Sequence, residues 1–255
     1  MSVVIDIIKD FESIDLKEME SVKLMDRTDT KFTFLYSQLT SILNIIKPHY
    51  KVLTINNKRH FSYKTLYYDT HDMMLYNVHH NGRLNRYKIR HRSYLDTNTG
   101  FLEVKFKNNK GRTIKERIED EIAPTNWNVQ ETAFLTTKLP FDPLSLKPII
   151  WVNYSRMTLV SKKGTERVTL DLNLNFVSGA VKKQFDNLVI AEVKQDKRQN
   201  SEFIRALKKF RIKEGALSKY CLGIAVTKDV KSNNFKEKIN SINKIINYGN
   251  IAASK

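Results

Sequence analysis

The stretch Arg86-Tyr-Lys88-Ile-Arg90-His-Arg92-Ser-Tyr94 decides how this chain is read. In a strand, successive side chains point to opposite faces, so Arg86, Lys88, Arg90 and Arg92 share one face, and Tyr87, Ile89, His91 and Ser93 the other. Neighbours on one face lie about 7 Å apart, and at an effective dielectric of about 20 each cation pair repels by about 2 kcal/mol. Such a face needs full solvation or an anion to relieve it.

The pattern recurs along the chain. In Phe101 to Lys107 the residues Glu103, Lys105 and Lys107 alternate with Leu102, Val104 and Phe106, and in Thr113 to Ile118 Lys115 and Arg117 alternate with Ile114 and Ile118. Farther on, Arg156 opposes Trp151 and Met157, Arg167 and Asp171 oppose Val168 and Leu170, and Glu192 and Lys194 oppose Val189 and Val193. Asp96, Asn98, Gly100, Asn108, Asn109 and Gly111 separate the first three segments, as in the hairpins of an antiparallel meander. A wet face of an open antiparallel sheet is the plain alternative. That face would mix both signs evenly, whereas here cations dominate and Glu103, Asp171 and Glu192 sit singly among them.

Outward from these strands, further strands are expected over residues 27–34, 61–68, 151–160, 166–173 and 188–194. Helices are expected at the N-terminus, over residues 36–47 before Pro48, over 70–80 before Gly82, and near 127–139. Ser201 and Ser218 are N-cap candidates for helices over 202–213 and 219–227, and Phe235, Ile239, Ile242 and Ile246 form the apolar stripe of a basic C-terminal helix. The fold class is therefore α+β, a closed antiparallel β-barrel of about eight strands with flanking helices. Three parts are expected: an N-terminal helical segment over 1–26, the barrel domain over 27–228, and a helical tail over 229–255.

The chain has 255 residues with 41% hydrophobic content, enough for a full core, and a net charge of +17 that points to a polyanionic partner. Cys221 is the only cysteine, so no intrachain disulfide and no zinc site of ordinary spacing is available, which suits a reducing, cytoplasmic setting. No signal peptide or membrane span is legible, and a membrane-bound partner stays open. Nucleic acid is disfavoured as a partner, because the cations alternate with apolar residues along strands instead of covering a surface with stacking aromatics. His79, His80 and His91 are expected as surface or turn histidines, Cys221 as a buried thiol, and Tyr63, Tyr67 and Tyr68 as core residues of the wall. The C-terminal stripe suits docking on a membrane or partner as well as packing back on the barrel.

Nine segments occur in order: Arg27-Thr-Asp29-Thr-Lys31-Phe, Lys64-Thr-Leu-Tyr-Tyr-Asp69-Thr, Lys88-Ile-Arg90-His-Arg92-Ser-Tyr94, Leu102-Glu103-Val-Lys105, Ile114-Lys115-Glu-Arg117, Tyr154-Ser-Arg156, Arg167-Val-Thr-Leu-Asp171, Glu192-Val-Lys194 and Ser218-Lys219-Tyr220. Together they resemble the polyphosphate polymerase domain of the vacuolar transporter chaperone (VTC) family, a CYTH-like branch of the triphosphate tunnel metalloenzymes. The resemblance implies a closed β-tunnel and transfer of the ATP γ-phosphate onto a polyphosphate chain with a divalent metal, Mn²⁺ or Mg²⁺. Carried over by motif, Arg90, Arg92, Lys105, Lys115, Arg156 and Arg167 would act on the transferred group. Lys31, Arg27, Lys88, Lys194 and Lys219 would bind substrate phosphates, and Glu192 would hold the metal.

Two departures qualify this. Ala216 stands where the family pattern has a second lysine three residues before Lys219, and Arg27-x-Asp29-x-Lys31 replaces the ExExK of the triphosphatase relatives. The second favours polymerase over hydrolase, since fewer acids leave less room for a second metal. A tri- or polyphosphatase and a non-catalytic polyphosphate sensor remain as alternatives.

Overall fold

The structure, a computed structural model, describes residues 2–21, 28–164 and 166–253. In chain order its elements are α1 (Ser2–Lys9), β1 (Glu12–Ile14), α2 (Leu16–Ser21), β2 (Thr28–Leu35), α3 (Tyr36–Ile46), β3 (Tyr50–Leu53), β4 (Phe61–Thr70), α4 (Met74–His80), β5 (Arg86–Tyr94), β6 (Thr99–Lys107) and β7 (Thr113–Glu119). Then come α5 (Val129–Lys138), β8 (Leu146–Ser161), β9 (Glu166–Ser178), β10 (Val181–Phe185), β11 (Leu188–Gln195), α6 (Glu202–Lys209), α7 (Lys219–Thr227) and α8 (Lys236–Ala253).

A single path of antiparallel pairings, β2-β11-β9-β8-β4-β5-β6-β7, builds the main sheet. Short β10 extends β9, while β3 joins β8 and carries β1 in parallel. The expected barrel is not closed by hydrogen bonds: among the described residues no ladder joins the terminal strands β2 and β7. The free edge of β2 has another partner, since Phe32 bridges Glu214 and the Gly215 amide donates to the Lys31 carbonyl at 2.8 Å.

Helices cover the outer face where the alternation leaves apolar side chains. Leu39, Ile42, Leu43 and Ile46 of α3, with Phe203, Ala206 and Leu207 of α6, pack on Phe32, Phe34, Leu159, Val168, Leu170 and Val193. Leu135 and Leu139 pack on Ile89, Leu102 and Val104, the apolar alternates of β5 and β6.

The seventh helix lies on the opposite, inner face. Tyr220, Cys221, Leu222 and Ile224 of α7 join Tyr67, Ile150, Val152, Tyr154, Leu174, Phe176, Leu188 and Ile190 in one cluster. Asn173 makes this possible by taking φ +53°, opposite a register shift between Asn153 and Ser155. That irregularity turns Leu174 and Phe176 inward, whereas Leu172 before it packs outward. Gly223 allows the close approach, because a Cβ there would lie 2.5 Å from Phe176 Cδ1 and 2.8 Å from Ile150 Cδ1.

Several local expectations shift in physically traceable ways. Helix α4 begins at Met74, because β4 runs on to Thr70 and the fully buried Asp69 turns the chain by accepting from the Leu75 and Tyr76 amides. Strand β8 starts at Leu146 in spite of Pro148, which sits at a register shift opposite Tyr68. Helix α6 ends at Lys209, where Arg211 adopts φ +56° and the Ile212 amide reaches back to Leu207. Both serine caps form, Ser201 on the Ile204 amide and Ser218 on the Cys221 amide. Two of the three histidines are core residues instead of surface ones: His91 is 0% exposed and donates to the Asp120 carbonyl at 2.6 Å, and His80 is 3% exposed.

Of the open choices for the C-terminal stripe, packing back is the one adopted: Ile242 is buried in the α7 cluster with Phe235, Ile239 and Ile246 against it. No helix of the described residues is long and apolar enough to cross a membrane.

Candidate anion-binding site

Beyond the part filled by α7, the inner face is charged. The register sets Lys88 opposite Lys105 and Lys105 opposite Lys115, while Arg90 faces Glu103 and Arg156 faces Asp171. Across the last two ladders Glu192 lies between Thr169 of β9 and Lys31 of β2.

Two carboxylates each hold a pair of cations. Glu103, 1% exposed, accepts from Arg90 Nε at 2.6 Å and pairs with Lys115. Asp171, also 1% exposed, accepts from Arg156 through Nε at 2.5 Å and a second guanidinium nitrogen at 2.9 Å, and pairs with Lys219. Burial alone would raise both carboxyls. The Arg90, Arg92 and Lys115 charges instead bring Glu103 down to about 2, and Arg156 with Lys219 brings Asp171 to about 2.

Glu192 differs. Its ion-pair partner Lys194 stands 3.6 Å away, outside hydrogen-bond reach. Burial opposes its ionisation, yet Lys194, Lys31, Arg156 and Lys219 hold its carboxyl well below the usual carboxylate range. This is an ionised carboxylate in a cationic field with coordination capacity to spare. Among the described residues no group of three His, Cys, Asp or Glu side chains converges to hold a metal unaided. The donor set fits a hard divalent cation that keeps most of its ligands from phosphate oxygens and takes one carboxylate from the protein.

The cations sit over aromatic rings that sequence reading left as plain core. Tyr63 stacks on Tyr154 with ring centroids 5.2 Å apart, and the Arg156 guanidinium carbon lies 5.3 Å from both rings. Arg92 lies 5.7 Å from the Tyr63 ring, Arg90 5.9 Å from Tyr67, and the Lys219 ammonium 4.9 Å from Tyr154. Period-two alternation puts Tyr63 and Tyr67 in step with Thr65 opposite Arg92, a usable signal for this floor.

Lys31, Lys88 and Lys105 line a cavity of about 560 Å³ between β2, β5 to β7 and the segment 214–218. Burial pulls Lys88 down, as do Lys31 and Arg86, while its ammonium donates to Ser218 Oγ at 3.0 Å. Lys105 falls to about 7, through burial first and then the Arg90, Lys88 and Lys31 charges. Arg92 is 9% exposed, and Lys115 opens toward the rim on exposed β7. Arg167 shares the inner face of β9 but donates to the Met19 carbonyl at 2.8 Å, at the α2 end. Ala216 lines the cavity without a charge, and Arg27 lies outside the described residues.

A pH dependence follows from Lys105. In the unfolded chain a lysine holds its proton to about pH 10.4, so between about 7 and 10.4 the free folded state holds fewer protons and its stability rises with pH through this group. A bound polyanion reverses the shift, so binding takes up a proton above pH 7 and affinity falls as pH rises, by at most about tenfold per unit. Calorimetric titration with tripolyphosphate from pH 7 to 9 should give a steeper fall for the wild type than for Lys105→Met, with the ligand's own ionisation common to both. Equal slopes would separate Lys105 from the phosphates.

The VTC domain family model matches residues 26–130 and 140–228. No curated protein matches the chain significantly. Among solved structures, the PH1819 protein from Pyrococcus horikoshii OT3 is 12% identical over 78% of this chain and 98% of that one, with a TM-score of 0.44. The adenylyl cyclase-like HpAC1 from Hippeastrum, described as having a dominant triphosphatase activity, is 14% identical over 78% of this chain and 97% of that one, with a TM-score of 0.49. The family match contains all eight strands of the sheet path, β2 through β11, and on it this chain belongs to the VTC-domain family.

Proposed function

We propose that this chain is a polyphosphate polymerase: it binds linked phosphates along the inner face of the sheet and transfers the γ-phosphate of ATP to a polyphosphate end. The observation that carries the reading is the imbalance of buried charge. Lys31, Lys88 and Lys105 line one cavity and make no ion pair with a carboxylate among the described residues, while Glu103 and Asp171 are each already shared by two cations. A linear chain of phosphates supplies negative charge to several such lysines at once.

Phosphoryl transfer asks the protein mainly for in-line positioning and charge neutralisation. Arg90 and Arg156, locked by their carboxylates over Tyr67 and Tyr154, present preorganised guanidinium forks for phosphate oxygens. Lys88, Lys105, Lys115 and Lys219 are adjustable point charges along the chain, with Arg92, Arg167, Lys31 and Lys194 extending the row. Glu192 would hold a divalent ion, which would supply stabilisation of the charge that develops on the transferred group. The incoming terminal phosphate is already ionised, so it needs no protein base.

Hydrolysis of tri- or polyphosphate is the second reading, since the same lining serves water as acceptor. Arg27-x-Asp29-x-Lys31 favours transfer, because it brings one acid where a two-metal site needs more.

Incubation with ATP and Mn²⁺ and resolution of the products tests the assignment. ADP with a ladder of acid-labile phosphate chains is expected, whereas orthophosphate and no chain would assign a hydrolase. Tripolyphosphate should also raise the melting temperature far more than orthophosphate at equal concentration; equal effects would remove the linked-phosphate site itself.

A further inference from the structure

Three consecutive residues at the start of α7, its cap included, are each pinned to a different strand. Ser218 accepts from Lys88 of β5 at 3.0 Å, Lys219 pairs with Asp171 of β9, and the Tyr220 hydroxyl donates to Asp69 of β4. The first two contacts belong to the cationic face. The third goes to a carboxyl that is 0% exposed, 151 positions away in sequence, at the turn into α4.

Asp69 has partners enough for that turn without Tyr220. The Thr70 and Leu75 amides donate to Oδ1, each at 2.8 Å, and the Tyr76 amide donates to Oδ2 at 2.9 Å. Burial raises the Asp69 carboxyl, while the four donors, two on each oxygen, favour its charged form. Burial and that charge hold the Tyr220 phenol well above its ordinary value, so the proton stays on the hydroxyl and in the bond.

Packing alone does not do what this bond does. Tyr220, Cys221, Leu222, Gly223 and Ile224 are all buried, so α7 is enclosed on every side, and apolar contact, which has no direction, sets its rotation about its axis only loosely. A hydrogen bond is directional. At about 6 Å from the helix axis, a rotation of about 10° moves a side-chain group by about 1 Å. The Tyr220 ring also stacks on Tyr67, with centroids 5.0 Å apart, a contact that phenylalanine would keep.

We infer that Asp69 and Tyr220 are positioning residues for phosphoryl transfer, which fix the rotation of α7 and thereby hold the Lys219 ammonium at Asp171, in place for the phosphates. The pair acts through Lys219. The inference rests on the reading of the inner face as a phosphoryl-transfer site, and adds a buried pair whose part in it is orientation.

Tyr220→Phe removes the hydroxyl and keeps the stacked ring. Turnover of ATP with Mn²⁺ should fall about tenfold at an unchanged KM, since a misplacement of about 1 Å costs up to about a hundredfold and the ring retains part of the setting. In a Lys219→Met background the same substitution should cost less than twofold, because the group it positions is gone. Unchanged turnover, or equal falls in both backgrounds, would make the pair a prop of the fold with no hold on Lys219 and overturn the inference. The intact wild type gives a readout that does not depend on how a variant folds: the buried Tyr220 hydroxyl proton, protected from exchange in proton NMR, should shift when tripolyphosphate binds. A resonance that stays fixed at saturation overturns the inference and leaves the phosphate site standing. Orthophosphate in place of chains as product overturns the polymerase reading alone, since the two backgrounds are compared equally well on that reaction. Failure of tripolyphosphate to bind overturns both.

Discussion

Glu192→Gln should lower metal-dependent phosphoryl transfer by about a hundredfold or more, while metal-free binding of polyphosphate holds or improves. Glutamine keeps the shape of the side chain and one acceptor oxygen but loses the charge that a hard divalent cation requires. Loss of several kcal/mol of transition-state stabilisation corresponds to that factor in rate. Binding without metal moves the other way, because one of the few negative charges has left a face where Lys31, Lys194, Arg156 and Lys219 all act on that position. Single-turnover transfer from radiolabelled ATP, beside titration with tripolyphosphate in chelator, separates the two effects. Unchanged turnover would remove Glu192 from metal binding. Loss of folding, read by circular dichroism, would make it a structural counter-ion of the neighbouring lysines.

Asp171→Asn should be the most destabilising conservative change on the inner face, and the one most fully rescued by ligand. Asp171 is 1% exposed and is shared by Arg156 and Lys219, whose side chains are only 14% and 16% exposed. Removing one member of a buried ion pair costs about 3–5 kcal/mol, since the partners keep their desolvation without compensation. A fall of about 10 °C in melting temperature is expected for a domain of this size. Tripolyphosphate should then stabilise the variant more than the wild type, because a phosphate group takes the place of the missing carboxylate between the two cations. The carboxyl, held near 2, implies the same loss in the wild type as acid titrates it: its contribution is complete above the unfolded value of about 3.9 and disappears as pH falls toward 2. A variant as stable as wild type would show that Arg156 and Lys219 are compensated elsewhere. Equal ligand increments would show that they do not meet phosphate.

Much of this protein is local and therefore legible in the chain itself. Alternation assigns Lys88, Arg90 and Arg92 to one face and Ile89 and His91 to the other, because the side-chain period of a strand is two whatever it pairs with. Strand β5 and helix α7 span the residues that pattern and capping predict, and Ser201 and Ser218 cap as their chemistry requires. The choice of cations over acids on the inner face was likewise visible without any contact.

Tertiary structure decided what each charge does. Glu103, Asp171 and Glu192 look alike in sequence, each one acid among cations, yet two are closed by paired cations and one is left open. That difference comes from cross-strand register and from α7, which brings Lys219 to Asp171 across 48 positions of chain. The same holds for the sheet edge, where residues 214–215 occupy β2 in place of β7, and for Asn173, whose single left-handed residue reverses which side of β9 faces inward. The hydrogen bonds that tie α4 to the segment before α8 join residues more than 150 positions apart. Pairwise contacts at that separation depend on how helices settle on a curved sheet, and local propensity carries no record of it.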